Sequence, residues 1–73
     1  MIKKTTEITI NTDYITLGQF LKLADIIKSG GEAKSFLAEN KVLIDGEVDC
    51  RRGRKLKGGE AVEVVGQKFV IKR

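Results

Sequence analysis

Arg51-Arg52-Gly53-Arg54-Lys55-Leu56-Lys57 places five basic side chains within seven residues, with no acid among them. Cations crowded in this way repel one another, and a polyanion relieves that repulsion while releasing its condensed counterions. Arginine adds geometry to charge, because its planar fork meets two phosphate oxygens at once. The chemistry suited to this run is the grip of a nucleic-acid backbone. A solvated, solubilising surface loop is the competing reading of the same residues.

A second anion candidate is Ser29-Gly30-Gly31, which precedes a helical pattern. Free N–H groups at a helix start bind phosphate when glycines such as Gly30 and Gly31 let the backbone come close. Glu32 opposes this, since a carboxylate in the first turn already answers the helix dipole, and a plain interhelical turn is the alternative. Lys28 before the turn and Lys34 after it are the lysines that stand within reach of a phosphate there.

Other chemistries lack their residues. The chain has no histidine and a single cysteine, Cys50, and it contains no glycine-rich nucleotide-binding motif, so neither a catalytic constellation nor a metal site is expected and no cofactor is implied. Cys50 follows Val48 in alternation and reads as a small residue closing a strand; as the lone cysteine it can form no internal disulfide, which fits a reducing compartment, the cytoplasm. Aromatic residues are one tyrosine, three phenylalanines and no tryptophan. Phe20, Phe36 and Phe69 fall on faces expected to be buried, which leaves little on which splayed bases could stack and favours recognition of folded RNA by shape and backbone.

At 73 residues there is room for one core and one domain, and seldom for a walled substrate pocket. The net charge is +4, unevenly spread. Up to Asn40 five lysines balance five acids; from Lys41 onward nine basic groups face five acids, so the whole excess lies in the second half. No window approaches the ~20 apolar residues of a membrane span, and the Met-Ile-Lys-Lys start lacks the apolar run of a signal peptide.

The elements that would carry these residues follow from periodicity. Thr5 to Ile10 alternates as a half-buried strand with Ile8 and Ile10 on one side. Thr16 and Gln19 form a capping-box pattern before Leu17, Phe20, Leu21, Ala24 and Ile27, which predicts a helix from Leu17 to about Lys28. Ser29 and Glu32 repeat the capping pattern before a second, short helix ending near Asn40. Val42-Leu43-Ile44, Asp45-Gly46 and Val48 spell a hairpin. The basic run follows as a loop, then a strand from Ala61 to Val65, a Gly66-Gln67 turn and a last strand from Lys68 to Lys72. The order strand, helix, helix, strands is α+β.

Thr16-Leu17-Gly18, Ser29 to Lys34, Val42 to Val48, Arg51 to Leu56 and Gly59 to Val64, taken in order, resemble the S4-type RNA-binding domain over about fifty residues, Thr16 to Val65. The chain is especially similar to small stand-alone bacterial members of that family. The resemblance implies the alpha-L fold, two short helices packed on a small, mostly antiparallel sheet, with RNA lying along the helical face and the basic loop after the hairpin. It further implies a non-enzymatic, monomeric protein whose partner is structured RNA, ribosomal RNA or a ribosomal particle above all, with ribosomal proteins as neighbours and a role in ribosome assembly. The family often places arginine and aspartate around the leucine opening its first helix, where this chain has Thr16 and Gly18. That departure motivates an alternative function, a protein-interaction adaptor that keeps the fold with a weakened RNA face.

Overall fold

In a computed structural model, residues 5–73 are described; Met1 to Lys4, which entered the charge balance and the search for an apolar run, lie outside them. The elements are β1 (Thr5–Thr9), β2 (Ile15–Thr16), α1 (Leu17–Leu23), α2 (Glu32–Glu39), β3 (Leu43–Ile44), β4 (Glu47–Val48), β5 (Lys55–Leu56), β6 (Ala61–Val64) and β7 (Gln67–Lys72). Five strands form one sheet in the order β1-β7-β6-β3-β4, and β2 pairs with β5 in a separate two-stranded ladder. All pairings are antiparallel except β1 with β7, where Thr6 lies opposite Phe69 and Ile8 opposite Ile71. This is the α+β arrangement expected.

Alternation sends Val62, Val64, Phe69 and Ile71 to one face of the sheet, and the helices cover that face with Leu17, Phe20, Leu21, Ala33 and Leu37. Phe20 and Phe69 meet edge to face, ring centroids 5.2 Å apart at 80°, the arrangement that aromatic quadrupoles favour. Both rings are buried, whereas Phe36 is half-buried at the margin of the core. Leu56, from within the basic run, is fully buried and anchors that run to the core.

Helix α1 is shorter than its apolar spacing predicts. It stops at Leu23 with Ala24 as C-cap, and Asp25 turns left-handed at φ 61°. The N–H of Asp25 donates to the Lys22 carbonyl at 3.1 Å and that of Ile26 to the Leu21 carbonyl at 2.9 Å, the paired bonds of a Schellman ending. Asp tolerates this conformation better than most residues but gives a weaker stop signal than glycine. Ile26 and Ile27 then reach the core from the turn that follows, not from a helix face, and Ile27 is buried there.

Two other local expectations change. Asp45-Gly46 forms the tight turn of the β3-β4 hairpin, with φ of 53° and 85°. The β6-β7 turn, however, is Val65-Gly66, with φ of 47° and 74°, and Gln67 already pairs with Val64, so the turn sits one residue earlier than Gly66-Gln67. A turn at Gly66-Gln67 would set Phe69 opposite Val64 instead of Val62, a two-residue slip of β7 along β6 that leaves the same residues facing the core; the observed register holds Val65 in a conformation that β-branched residues resist. Cys50 does not close a strand: β4 ends at Val48, and the thiol is exposed.

Candidate nucleic-acid interface

The basic run is folded and tied down. Its last part, Lys55–Leu56, is a strand, because Ile15 and Thr16 pair with Leu56 and Lys55 across about forty residues of chain. Its first part closes a turn in which the Arg54 N–H donates to the Arg51 carbonyl at 3.1 Å. Two carbonyls of that turn serve the neighbouring helix. Leu17 N–H donates to Arg54 O at 2.7 Å and Gly18 N–H to Arg52 O at 2.9 Å, satisfying two of the donors that every helix start leaves without intrahelical partners. The capping box closes the set: Gln19 N–H donates to Thr16 Oγ1 at 3.2 Å, and Thr16 N–H to Gln19 Oε1 at 2.8 Å.

At Gly18, α1 meets both the basic turn and α2: a Cβ there would stand 3.4 Å from Arg52 O and 3.5 Å from Ala33 Cβ, ordinary contact distances. The residue that departs from the family pattern is also the point where the three segments meet.

The arginines are not equivalent. Asp49, whose side chain is 9% exposed, accepts from Arg51 at Nη2 (2.8 Å), Nε (3.1 Å) and the backbone N–H (3.0 Å), and from Arg54 Nη1 (3.0 Å). The hydrogen bonds from Arg51, joined by those from Arg54, hold the Asp49 carboxyl far below the usual carboxylate range against the opposing effect of burial, and the Arg51 guanidinium is shifted upward in return. Arg52 and Lys57 have no carboxylate at ion-pair distance among the described residues. The backbone N–H of Lys57 and that of Gly58 both donate to the Glu60 carboxylate, at 2.8 and 2.7 Å, which fixes the end of the strip. The Lys55 ammonium lies 4.9 Å from the Tyr14 ring centroid, in cation–π contact.

Two open concavities result. One, of about 460 Å³, is lined by Arg51, Gly53, Arg54, Lys55 and Lys57. The other, of about 290 Å³, lies between α2 and the basic turn and is lined by Lys34, Leu37, Ala38, Cys50 and Arg52. Lys34 is thus brought to the loop residues. Lys28, Gly30 and Gly31 lie in the connection between the helices and line neither concavity. The second capping box does not form: Gly31 is the N-cap of α2 and no side chain caps it, while Ser29 Oγ donates to the Glu32 carboxylate at 3.4 Å. Glu32 N–H and Ala33 N–H are taken by the Ser29 and Gly30 carbonyls at 3.1 and 3.2 Å, so two donors of the expected anion site are already used.

What sequence reasoning missed is the clamp formed by Asp49, the meeting of three segments at Gly18 and the contact between Tyr14 and Lys55. Asp49 was legible only as an acid beside the run; its two-residue spacing from Arg51 is the one local signal for the clamp. Among the described residues there is no cluster of side chains able to hold a metal ion, and no helix is long and apolar enough to cross a membrane.

The family model described as the S4 domain matches residues 8–72, nearly the whole chain. This chain is an S4 domain protein. Its curated relatives include a Bacillus subtilis protein named "Probable ribosome maturation protein RlbA", 63% identical over 59 residues that span 81% of this chain and 83% of that protein. The Escherichia coli protein YbcJ, whose name provisionally assigns it RNA binding, is 36% identical over 58 residues, 80% of this chain and 83% of its own. Both relatives are therefore matched over most of their own length. As an S4 domain, the chain carries its basic turn between the β3-β4 hairpin and the α1 start, the position that the resemblance implied for the RNA contact.

Proposed function

We propose that this protein binds folded RNA without catalysing a reaction, and that its target is ribosomal RNA in a maturing particle in the cytoplasm. The observation that carries this reading is the concavity lined by Arg51, Arg54, Lys55 and Lys57, with a glycine as its only other lining residue. A surface shaped inward and lined by four cations suits the phosphates of a duplex groove edge better than an apolar protein face. Arg52 and Lys34 extend it toward α2. The names of the Bacillus and Escherichia relatives support the RNA partner and the maturation role.

The test is a salt titration of binding to a structured ribosomal RNA fragment, with unstructured poly-uridine of equal length as comparison. Affinity for the fragment should fall steeply, log Kd rising linearly with log salt, and should exceed that for poly-uridine at every salt concentration. A shallow slope, or tighter binding to poly-uridine, overturns this reading; salt-insensitive association with a ribosomal protein would favour the adaptor instead.

A further inference from the structure

Tyr14 is the exposed aromatic residue of this protein. Phe20 and Phe69 are buried and Phe36 is half-buried against the core, whereas Tyr14 keeps 42% of its surface accessible. Its position is set by the same ladder that holds the end of the basic strip: β2 begins at the next residue and pairs with β5, and Thr12 Oγ1 donates to the Tyr14 carbonyl at 2.8 Å. The Lys55 ammonium sits 4.9 Å from the ring centroid, so one cation already marks the ring. Beside it opens a groove of about 510 Å³ lined in part by Asn11, Thr12, Tyr14, Ile15, Gln19 and Leu23. An unpaired nucleotide needs a π-face for its base, amide or hydroxyl groups for its edge and a cation for its phosphate. These requirements are met within this one corner.

We propose that Tyr14 stacks a single unpaired base of the bound RNA, on the ring face away from Lys55, with Asn11 and Gln19 facing the base edge and Lys55 and Lys57 taking the adjoining phosphates. This rests on the RNA reading above and sharpens it. The basic strip grips a helix by its backbone, and the corner at its end accepts one nucleotide bulged or frayed from that helix. One ring cannot hold a tract, so folded RNA remains the preferred class. The cation–π contact fixes the ring before binding, which lowers the ordering cost of stacking.

The experiment compares a stem-loop RNA carrying one bulged 2-aminopurine with the same stem-loop lacking the bulge, at one fixed salt concentration. The wild type should bind the bulged form more tightly by ~5- to ~150-fold, the range of one base–aromatic stack, and should quench the 2-aminopurine emission. Tyr14→Leu should bring the ratio to about one with an unchanged melting temperature, and Tyr14→Phe should retain both preference and quenching. Equal binding of the two RNAs by the wild type, or a preference that survives Tyr14→Leu, overturns the inference and leaves the RNA reading in place. Binding to neither RNA at low salt overturns both.

Discussion

The basic turn at residues 51–54 and the interhelical connection at residues 24–31 both set glycine near a positive charge, three arginines in the turn and Lys28 alone in the connection, and both adjoin a helix start. They are built oppositely. The basic turn gives its carbonyls to the first N–H groups of α1, has two arginines held by Asp49 and is continued by a strand whose Leu56 is buried. The connection gives its carbonyls to its own next helix, has no side chain capping that helix, and leaves open space around Gly30. A phosphate site thus needs more than charge and a flexible backbone. Cations that other parts of the protein hold in place lose less entropy on binding than cations on a loosely tied turn.

The comparison breaks most simply at the arginines. Replacing Arg51, Arg52 and Arg54 together with alanine should weaken RNA binding by ~100-fold or more near physiological salt and lower the salt slope by ~1 for each phosphate that is no longer neutralised. An unchanged slope in the titration would move the RNA site off the basic turn.

A finer cut is Asp49→Asn. It raises the net charge by one, so a turn acting through charge alone would bind RNA more tightly. If held arginines matter, binding weakens by ~3- to ~10-fold at fixed salt. The same variant reports on stability. Asp49 has a carboxyl pKa lowered by folding, so its contribution is present above the unfolded value of about 3.9 and is lost as pH falls below it. The wild type should melt ~2–5 °C above Asp49→Asn at neutral pH, because Arg51 is largely exposed and the pair is partly screened. That gap should narrow below pH ~4; a gap independent of pH would assign it to something other than the ionised clamp.

Within the helical side, Lys34 and Lys28 should part company. Lys34→Ala should weaken RNA binding by ~3-fold and take ~1 from the salt slope, since Lys34 lines the concavity shared with Arg52, whereas Lys28→Ala should change affinity by less than ~1.5-fold. Equal losses would return the connection to the interface. The smallest effect belongs to Asp25→Gly, which relieves the left-handed residue ending α1 and should raise stability by about 0.5 kcal/mol in chemical denaturation with RNA affinity unchanged.

Much of the fold was legible because its signals are local. Thr16 with Gln19 caps α1 as the pattern predicts, and Asp45-Gly46 turns the hairpin because both residues tolerate positive φ. Alternation in β1, β6 and β7 places the buried residues on one face. The structure departs where contacts beyond the local pattern intervene. Apolar spacing would carry α1 past Leu23, but Ile27 fills the core from a turn; the turn at Val65-Gly66 sets Phe69 opposite Val62 where Gly66-Gln67 would set it opposite Val64, a choice of register that leaves the buried face the same. Ser29 with Glu32 matches the pattern that works at Thr16, yet its hydroxyl bonds the carboxylate instead of a backbone N–H. The cap at Thr16 sits in a strand held from outside by β5, and Ser29 has no such partner.

By itself the sequence determined the α+β class, the strand and helix faces, the uneven charge and the five cations between Arg51 and Lys57, because each depends on residues within a few positions of one another. Only the tertiary structure decided which of those cations are held by Asp49, that Lys34 joins Arg52 while Lys28 does not, and that Tyr14 stands beside Lys55. The physical reason lies in the ladder between residues 15–16 and 55–56 and in the N–H groups of α1 that take the carbonyls of the basic turn. Both join segments roughly forty residues apart, and the free energy that forms them comes from a core no short stretch of sequence contains.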